Sequence, residues 1–377
     1  MLTTNRIGGT AQFTYDAAGN QLSVTDAELQ VTAYEYDDRG LKVKTVYPDH
    51  IPGSAVGTDG YGVTKCSYDA LGRRNVCTDQ AGDTRTYNCD LAGRLLSCDY
   101  RTAPNSPAGG IADTDSYAYD RQSRVLTATS GRSNNARAIT YDSAGRTSTE
   151  SLTVAGHTYT TALDYDNVGR QAQITYPNGK VLNRTYTDRH QLEQLTYDGS
   201  VVDTRSYDNG MRLQITTLGN GITETREYNP DNTLVNISFS NANIGTYSYT
   251  WDANKNKTSE TITGALAAYS FTTGANGYDA EDRLTSYTRG SLNQQWGLSL
   301  EGDWNTFAEN GVVQNRTHGP AHELRAVGSQ TTTLDTKGNL TSKPSALNAT
   351  ETSTLVWDFD NQLKSVDTDS DGTPDVT

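Results

Sequence analysis

The sequence predicts an all-β fold, in which tandem β-hairpins form a β-solenoid. Three features predict it. A Tyr-Asp-x-x-Gly motif recurs about fifteen times, often at a step of 21 residues; apolar and polar residues then alternate with period two; and a second turn signal follows about ten residues later. Because a single hairpin is only marginally stable in water, the hairpins must join into one sheet.

The Tyr-Asp motif marks the first turn of each repeat. An Asp side chain accepts hydrogen bonds from nearby backbone N–H groups, and Gly adopts a positive φ without steric cost. The motif therefore reads as structural. The clearest copies are Tyr15, Asp16 and Gly19; Tyr36, Asp37 and Gly40; Tyr68, Asp69 and Gly72; Tyr141, Asp142 and Gly145; and Tyr165, Asp166 and Gly169.

The residues after each motif predict strands. Leu22 and Val24 alternate with polar neighbours, as half-buried strands do. Asn178-Gly179 and similar pairs then supply the second turn. One repeat is therefore one hairpin. We expect residues 1–366 to form a single continuous array, and residues 367–377 to be an acidic turn that starts a truncated next repeat.

The recurring Tyr side chains have two interpretations. Placed at one position of successive hairpins they would form a packed ladder, with each hydroxyl directed to a turn. Exposed on a concave face they could instead stack on sugar rings, and the four Trp residues leave that alternative open. Strand packing already requires the Tyr residues, so the ladder is favoured.

The charge of the chain bears on its partners. The formal net charge is −14, whereas phosphate backbones and anionic lipids attract clustered Lys and Arg. No run of eighteen or more apolar residues is present, and the N-terminus lacks the apolar core of a signal peptide. We therefore expect neither nucleic-acid binding nor membrane insertion.

The repeated motif and its 21-residue step resemble the YD-repeat (Rhs) family, which includes Rhs polymorphic-toxin shells, Tc-toxin shell components and teneurins. The resemblance extends from about Tyr15 to Trp357. It implies a strip of hairpins that forms a spiralling β-solenoid or hollow shell around a passenger polypeptide, or that forms an extracellular adhesion barrel. The Asp-Pro self-cleavage motif typical of bacterial shells is absent before Thr377, so neither cleavage nor a toxin payload is assigned. The sequence also stops about where the next repeat should begin, one period after Trp357, and the chain is therefore interpreted as a fragment.

An Asp-rich segment near the end of the chain resembles the start of thrombospondin type 3 and dockerin-like Ca²⁺ loops. Asp367, Asp369, Asp371 and Asp375 are the candidate ligands, because hard cations take several oxygen ligands and Gly372 permits the sharp turn. The alternative is an acidic turn without a cation. No cofactor is otherwise required, so Ca²⁺ is the one cofactor considered.

Four cysteines, Cys66, Cys77, Cys89 and Cys98, lie within 33 residues. Their number fits disulfides in an oxidising compartment. Cys66 with Cys77 and Cys89 with Cys98 would each bridge a hairpin, whereas Cys77 and Cys98, one period apart, could meet between repeats. Free buried thiols are the alternative to both. The spacing does not fit a zinc knuckle.

No catalytic motif emerges from the remaining residues. His318 and His322 are four apart, but the intervening Gly-Pro prevents a helix, so we expect loop residues rather than a metal pair. The repeated Asp residues share a structural period, whereas an active site would use one or two carboxylates in unequal surroundings. The sequence therefore predicts a non-enzymatic protein.

The preferred hypothesis is a structural shell segment of a secreted Rhs-type protein, whose partner is an encapsulated or C-terminal polypeptide. The alternative is an extracellular adhesion or carbohydrate-binding fibre that recognises a cell-surface glycan or protein. Both place the protein outside the cell or at its surface.

Overall fold

A computed structural model describes residues 1–58, 60–103, 112–274, 276–344, 352–369 and 371–376. The chain divides into two compact units, one formed by Met1–Ser116 with Gln295–Thr377 and the other by Tyr117–Gln294. Both units consist of consecutive antiparallel strands, so the predicted all-β class and tandem hairpins are confirmed. The proposed boundary between residues 366 and 367 stays a prediction.

In the first unit most consecutive strands pair antiparallel, but Gln330–Thr331 and Thr333–Leu334 belong to separate sheets. Its strands are β1 Leu2–Thr4, β2 Thr10–Tyr15, β3 Gln21–Thr25, β4 Val31–Tyr36, β5 Lys42–Val46, β6 Val63–Tyr68, β7 Arg74–Thr78, β8 Thr84–Cys89, β9 Leu95–Arg101, and, later in the chain, β27 Trp304–Glu309, β28 Val312–His318, β29 Leu324–Val327, β30 Gln330–Thr331, β31 Thr333–Leu334, β32 Leu340–Pro344, β33 Thr352–Trp357 and β34 Leu363–Asp367. β10 Ala112–Tyr119 and β26 Leu292–Leu298 contain the unit boundaries.

The second unit repeats the same pattern and contains one short 3-10 helix, Gly264–Tyr269. Its strands pair in chain order from β11 to β25. They are β11 Val125–Ser130, β12 Ala136–Tyr141, β13 Thr147–Val154, β14 His157–Tyr165, β15 Gln171–Thr175, β16 Val181–Tyr186, β17 Leu192–Tyr197, β18 Ser200–Tyr207, β19 Leu213–Leu218, β20 Thr223–Tyr228, β21 Leu234–Phe239, β22 Thr246–Trp251, β23 Lys257–Ile262, β24 Phe271–Thr272 and β25 Ser286–Arg289.

Each Tyr-Asp motif forms the tip of a hairpin together with a β-bulge. The register shifts by one residue at Tyr15, Tyr36, Tyr68, Tyr141 and Tyr165. The bulge leaves the motif Tyr opposite the first residue after the turn, as Tyr165 is opposite Gln171. The motif therefore sets the register of its hairpin as well as its turn.

The apolar core of the fold is thin. Among the described residues no large side chain is fully buried, and the buried apolar residues are Val63, Ala81, Cys98, Ile262 and Phe359. A single sheet layer buries little apolar surface, so hydrogen bonds and side-chain contacts between neighbouring hairpins must contribute much of the specificity.

We expect Gly145→Ala to lower the free energy of unfolding by about 1–2 kcal/mol, because the motif Gly has φ +83° and a Cβ is unfavourable there. Met211 occupies the equivalent position of another repeat with φ +66°. Met211→Gly should therefore be neutral or stabilising by about 0.5 kcal/mol, since relief of strain offsets the flexibility of Gly in the unfolded chain. Urea denaturation of both variants tests this, and a destabilised Met211→Gly would contradict it.

Candidate functional site

The motif carboxylate closes its own turn. Asp142 Oδ1 accepts hydrogen bonds from the backbone N–H groups of Ala144 and Arg146, each at 2.9 Å. Its Oδ2 accepts a third bond from Arg146 Nε at 2.7 Å. The backbone N–H of Arg146, followed by its side chain, holds the pKa of the Asp142 carboxyl below its usual value. The same two backbone bonds recur at Asp16, Asp37, Asp69 and Asp166.

The Arg that follows the motif Gly connects one repeat to the next. The Arg146 guanidinium lies 4.4 Å from the ring centroid of Tyr165, the motif Tyr of the following repeat. Such cation–π contacts each contribute about 0.5–1 kcal/mol at exposed sites. The contact recurs between Arg124 and Tyr141 at 4.1 Å, Arg170 and Tyr186 at 4.5 Å, and Arg212 and Tyr228 at 4.8 Å.

The motif Tyr hydroxyl also reaches the preceding repeat. Tyr165 Oη donates to the carbonyl of Thr147, the first residue after the preceding turn, at 2.9 Å. Trp251 and Trp357 stand at the Tyr position in their repeats, and their Nε1 groups donate to the equivalent carbonyls at 2.7 Å. The same Tyr bond, at 2.7 to 2.9 Å, is made by Tyr36, Tyr68, Tyr141, Tyr186, Tyr207 and Tyr228.

We expect Tyr165→Phe to lower the free energy of unfolding by about 1 kcal/mol, because it removes the hydroxyl donor of the Thr147 carbonyl while keeping the ring. Tyr159 lies on the same strand but is exposed. Tyr159→Phe is the matched control and should change stability by less than about 0.5 kcal/mol. Equal effects of the two substitutions in urea denaturation would show that the hydroxyl bond contributes nothing specific.

Two ionic clamps join residues 1–116 to residues 295–377 within the first unit. In the His322 clamp, His322 Nδ1 lies 2.7 Å from Asp303 Oδ2, and its Nε2 lies 2.9 Å from Asp26 Oδ2. Hydrogen bonds to Asp303 and then to Asp26 raise the pKa of His322 to about 9. The ring therefore carries a proton at neutral pH. Two further hydrogen bonds join the same two segments. The Glu301 carboxylate accepts from the backbone N–H of Ala27, and the Glu28 carboxylate accepts from that of Leu300.

The Lys337 clamp is more deeply buried. Lys337 Nζ lies 2.5 Å from Asp83 Oδ2, 2.9 Å from Asp79 Oδ2 and 2.9 Å from the carbonyl of Phe359. The Lys337 side chain is 6% exposed and that of Asp83 is 8% exposed. Burial alone would lower the pKa of Lys337, but the bonds to Asp83 and Asp79 raise it above its usual value. The three acceptors match the three N–H donors of an ammonium group.

His322 lies in a loop, as expected, whereas His318 is the last residue of β28. The fold also places the His322 ring between the carboxylates of Asp303 and Asp26, a contact that was not predicted. His318 and His322 do not form a metal pair, because both ring nitrogens of His322 already face Asp26 and Asp303. Sequence spacing cannot indicate such a contact, since Asp26 is 296 residues from His322.

The cysteines form one disulfide. Cys66 and Cys77 lie directly opposite each other on β6 and β7, with Cα atoms 4.1 Å apart, and are bonded. Cys89 and Cys98 are free, so the expected second hairpin bridge and the Cys77–Cys98 alternative are both wrong. The reason is register: Cys89 pairs with Leu95, whereas Cys98 pairs with Tyr87. Burial raises the pKa of the Cys98 thiol, as expected for an unreactive buried cysteine.

The Asp-rich segment brings three of its four candidate ligands together. One carboxylate oxygen from each of Asp367, Asp369 and Asp375 lies within 4.8 Å of the others, and Asp371 is outside this group. The backbone N–H of Asp371 lowers the pKa of Asp369, but desolvation and the neighbouring carboxylates together raise it by more. The pKa of Asp369 is therefore above its usual value. Asp375 Oδ2 also accepts a backbone bond from Thr368 at 2.7 Å, as the turn alternative requires.

Calcium binding stays a prediction. We expect isothermal titration with CaCl₂ to show saturable binding at about 0.1–1 mM, the range of extracellular modules. Asp375→Asn should weaken it at least about tenfold, since a ligand of the carboxylate group is lost. Asp371→Asn, the matched control, should change the affinity less. Absence of saturable binding would identify the segment as a turn only.

The remaining Trp residues lie in an aromatic group of the first unit. Trp296 and Trp304 have ring centroids 5.8 Å apart, and both pack near Phe307. The Arg316 guanidinium lies 5.1 Å from the Trp304 ring. Trp304 is 44% exposed, so part of the ring faces solvent.

Comparison with known proteins identifies the fold. The RHS Repeat family model matches residues 15–51, which contain the first two motif copies. TcdB2-TccC3 without its hypervariable C-terminal region is similar with a TM-score of 0.76 and 15% identity, over 99% of this chain and 22% of that chain. A mutant Tc holotoxin pore of Photorhabdus luminescens is similar with a TM-score of 0.77 and 16% identity, over 99% of this chain and 21% of that chain. No curated protein sequence matches the chain.

The chain thus carries an RHS repeat and has the fold of these Tc toxin proteins, of which it spans about a fifth of the length. The predicted similarity to Tc-toxin shell components is confirmed. Across the part of the chain that the structure describes, no helix has the length and apolar character needed to cross a lipid bilayer.

Proposed function

We propose that this chain is a non-enzymatic scaffold, a shell segment of a YD-repeat protein that encloses or presents another polypeptide. The observation that carries the proposal is the use of the motif residues. Asp142 and its equivalents close turns, the following Arg reaches the next repeat, and the Tyr hydroxyl reaches the preceding one. Side chains committed to holding hairpins together support a structural role.

The surroundings of the repeated carboxylates favour a scaffold over an enzyme. Catalytic carboxylates occupy unequal environments that separate their pKa values. The motif Asp residues instead share one environment, and the pKa of each of Asp69, Asp90, Asp142 and Asp208 is lowered by the same backbone bond from the residue four positions later. This equivalence is typical of structural repeats.

The similarity to solved Tc toxin proteins supports the shell part of the proposal. Those structures include the TcdB2-TccC3 complex and a holotoxin pore. This chain spans about a fifth of their length. Enclosing a polypeptide would therefore be a property of the whole protein, and this segment would form part of the shell wall. The Cys66–Cys77 disulfide supports a location outside the cell or at its surface.

Electron microscopy and limited proteolysis of the product of the complete gene test the proposal. We expect a hollow β particle, in which the polypeptide encoded beside the repeats resists protease until the particle is denatured. The matched control is that neighbouring polypeptide expressed alone, which should be cleaved at once. A solid particle, or equal cleavage in both samples, would refute enclosure.

The second candidate function is extracellular adhesion or carbohydrate binding. The exposed ring of Trp304 beside Arg316 favours it, because aromatic faces stack on sugar rings. Adhesion predicts that the purified chain binds cells or glycans with no passenger present, whereas a shell segment needs no such binding.

A further inference from the structure

A cleft of about 400 Å³ lies in the first unit, on the face of strands β5 to β9. The strand register identifies the residues at the base of the cleft. Cys66 pairs with Cys77, Cys77 with Arg85, and Arg85 with Tyr100, so these four side chains lie on one face of the sheet. Lys337 and Phe359 also line the cleft, and the Phe359 ring centroid lies 5.3 Å from that of Tyr100. The volume is within the range of small-molecule sites and fits a mono- or disaccharide.

Three cations of the cleft lining, Lys42, Arg74 and Arg101, lack a carboxylate partner among the residues that the structure describes. Register places Arg101 on the opposite face of the sheet, so the other two are the cations of the cleft face. Lys42 Nζ lies 4.9 Å over the ring of Tyr34, which pairs with Thr45 on the cleft face. Arg74 holds the same register position one hairpin further on, directly after the motif turn and opposite Tyr68. Both line the cleft. In a chain with a net charge of −14, two unpaired cations on one face of the sheet attract an anionic ligand.

The acidic groups beside the cleft are already neutralised. Asp79 and Asp83 both bind Lys337. Asp360 lies 2.5 Å from Arg85. These pairs leave Lys42 and Arg74 as the uncompensated charges on the cleft face, so an anionic group in the cleft would meet attraction from them rather than repulsion from the carboxylates.

The rest of the lining is polar and aromatic. Thr45, Thr64, Gln80 and Asn361 offer hydroxyl and amide groups, and Tyr87 offers a ring. Hydroxyls and amides donate and accept bonds to sugar hydroxyls, and aromatic faces pack on sugar rings. A purely apolar ligand would leave these polar groups without partners.

We propose that this cleft binds a sugar that carries a carboxylate, with Lys42 and Arg74 holding the carboxylate. Arg supplies paired N–H donors that match its two oxygens, and Lys supplies a second charge. The threonine and amide side chains bind the sugar hydroxyls. This site is independent of the proposed scaffold function, since a shell segment needs no ligand in its wall.

Titration calorimetry of the full chain tests the site with D-glucuronic acid and N-acetylneuraminic acid as ligands. D-glucose and inorganic phosphate are the comparison ligands. We expect saturable binding of at least one acidic sugar, with glucose at least about tenfold weaker because it lacks the charged hydrogen bonds. Phosphate that binds as well as the sugars would identify an unspecific anion site and overturn the proposal, as would no saturable binding of either acidic sugar.

The variants Lys42→Gln and Arg74→Gln locate the site. Each should weaken the acidic sugar about tenfold and lower the melting temperature by no more than a few degrees, since neither side chain has an ion-pair partner in the described part of the chain and Lys42 loses only its cation–π contact with Tyr34. Lys65→Gln is the matched control, because Lys65 pairs with Lys44 and Thr78 on the opposite face of the same strands. It should bind like the parent chain. Equal weakening by Lys65→Gln would overturn the assignment.

Discussion

Replacing Lys337 with Ala is expected to lower the free energy of unfolding by about 3–5 kcal/mol. The change removes the cation that lies between Asp79 and Asp83 and leaves the largely buried Asp83 carboxylate without its counter-charge. Removing one partner of a buried ion pair has this large effect because the remaining charge stays desolvated. Urea denaturation measures the change.

Two further variants make the Lys337 result specific. Lys364→Ala removes an exposed Lys further along the chain and should change stability by less than about 0.5 kcal/mol. Asp83→Asn in the Lys337→Ala background should recover part of the loss, since the unpaired charge is gone. Faster hydrogen exchange at residues 79–85 would place the damage at the clamp. An unaltered Lys337→Ala protein would contradict the buried pairing.

His322→Asn is expected to lower the free energy of unfolding by about 1–2 kcal/mol at pH 7. The shift of the His322 pKa from 6.5 to about 9 would correspond to a larger value, but the side chain is about one-third exposed and solvent screens the pair. Asn is a suitable replacement because it tolerates the φ of +63° at this position.

The pH dependence has a definite sign. The folded-state pKa of His322 is raised, so its contribution is complete below about pH 6.5 and is lost as the pH rises through about 9. The difference in free energy of unfolding between the parent chain and His322→Asn should therefore vanish near pH 10. His190→Asn is the control, because His190 has φ +64° and its ring contacts Arg170 instead of carboxylates. A difference for His322→Asn that grows with pH would contradict the clamp.

Local sequence pattern predicted the hairpins and their turns. The turn role of Asp142 and the positive φ of Gly145 follow from short-range chemistry that is the same in every copy. The strand alternation was equally visible, since it depends only on which residues face the same side. Features that repeat along the chain are therefore those that sequence reasoning recovers.

The sequence predicts the contacts between neighbouring repeats only in part. A recurring Arg after the motif Gly, as at Arg146, was visible in the sequence, but its contact with Tyr165 of the next repeat was not anticipated. The β-bulge at the motif Tyr was also missed, although it places the hydroxyl against the preceding repeat. The signal was the Gly-Arg pair itself, repeated at the motif step.

Contacts between distant segments could not be predicted. His322 meets Asp26, and Lys337 meets Asp79 and Asp83, because segments far apart in the chain lie together in the first unit. Neither ion pair recurs from repeat to repeat, so the periodic sequence pattern cannot indicate it. The cysteines illustrate the same limit, since one residue of register decides which of them face each other.

A double-mutant cycle between Arg124 and Tyr141 tests directly whether motif residues hold neighbouring repeats together. The guanidinium lies 4.1 Å from the ring centroid of the next repeat's Tyr. For Arg124→Ala, Tyr141→Leu and the double variant, we expect a coupling energy of about 0.5–1 kcal/mol in urea denaturation. Strictly additive effects would contradict the account, because they would mean that each motif stabilises only its own hairpin.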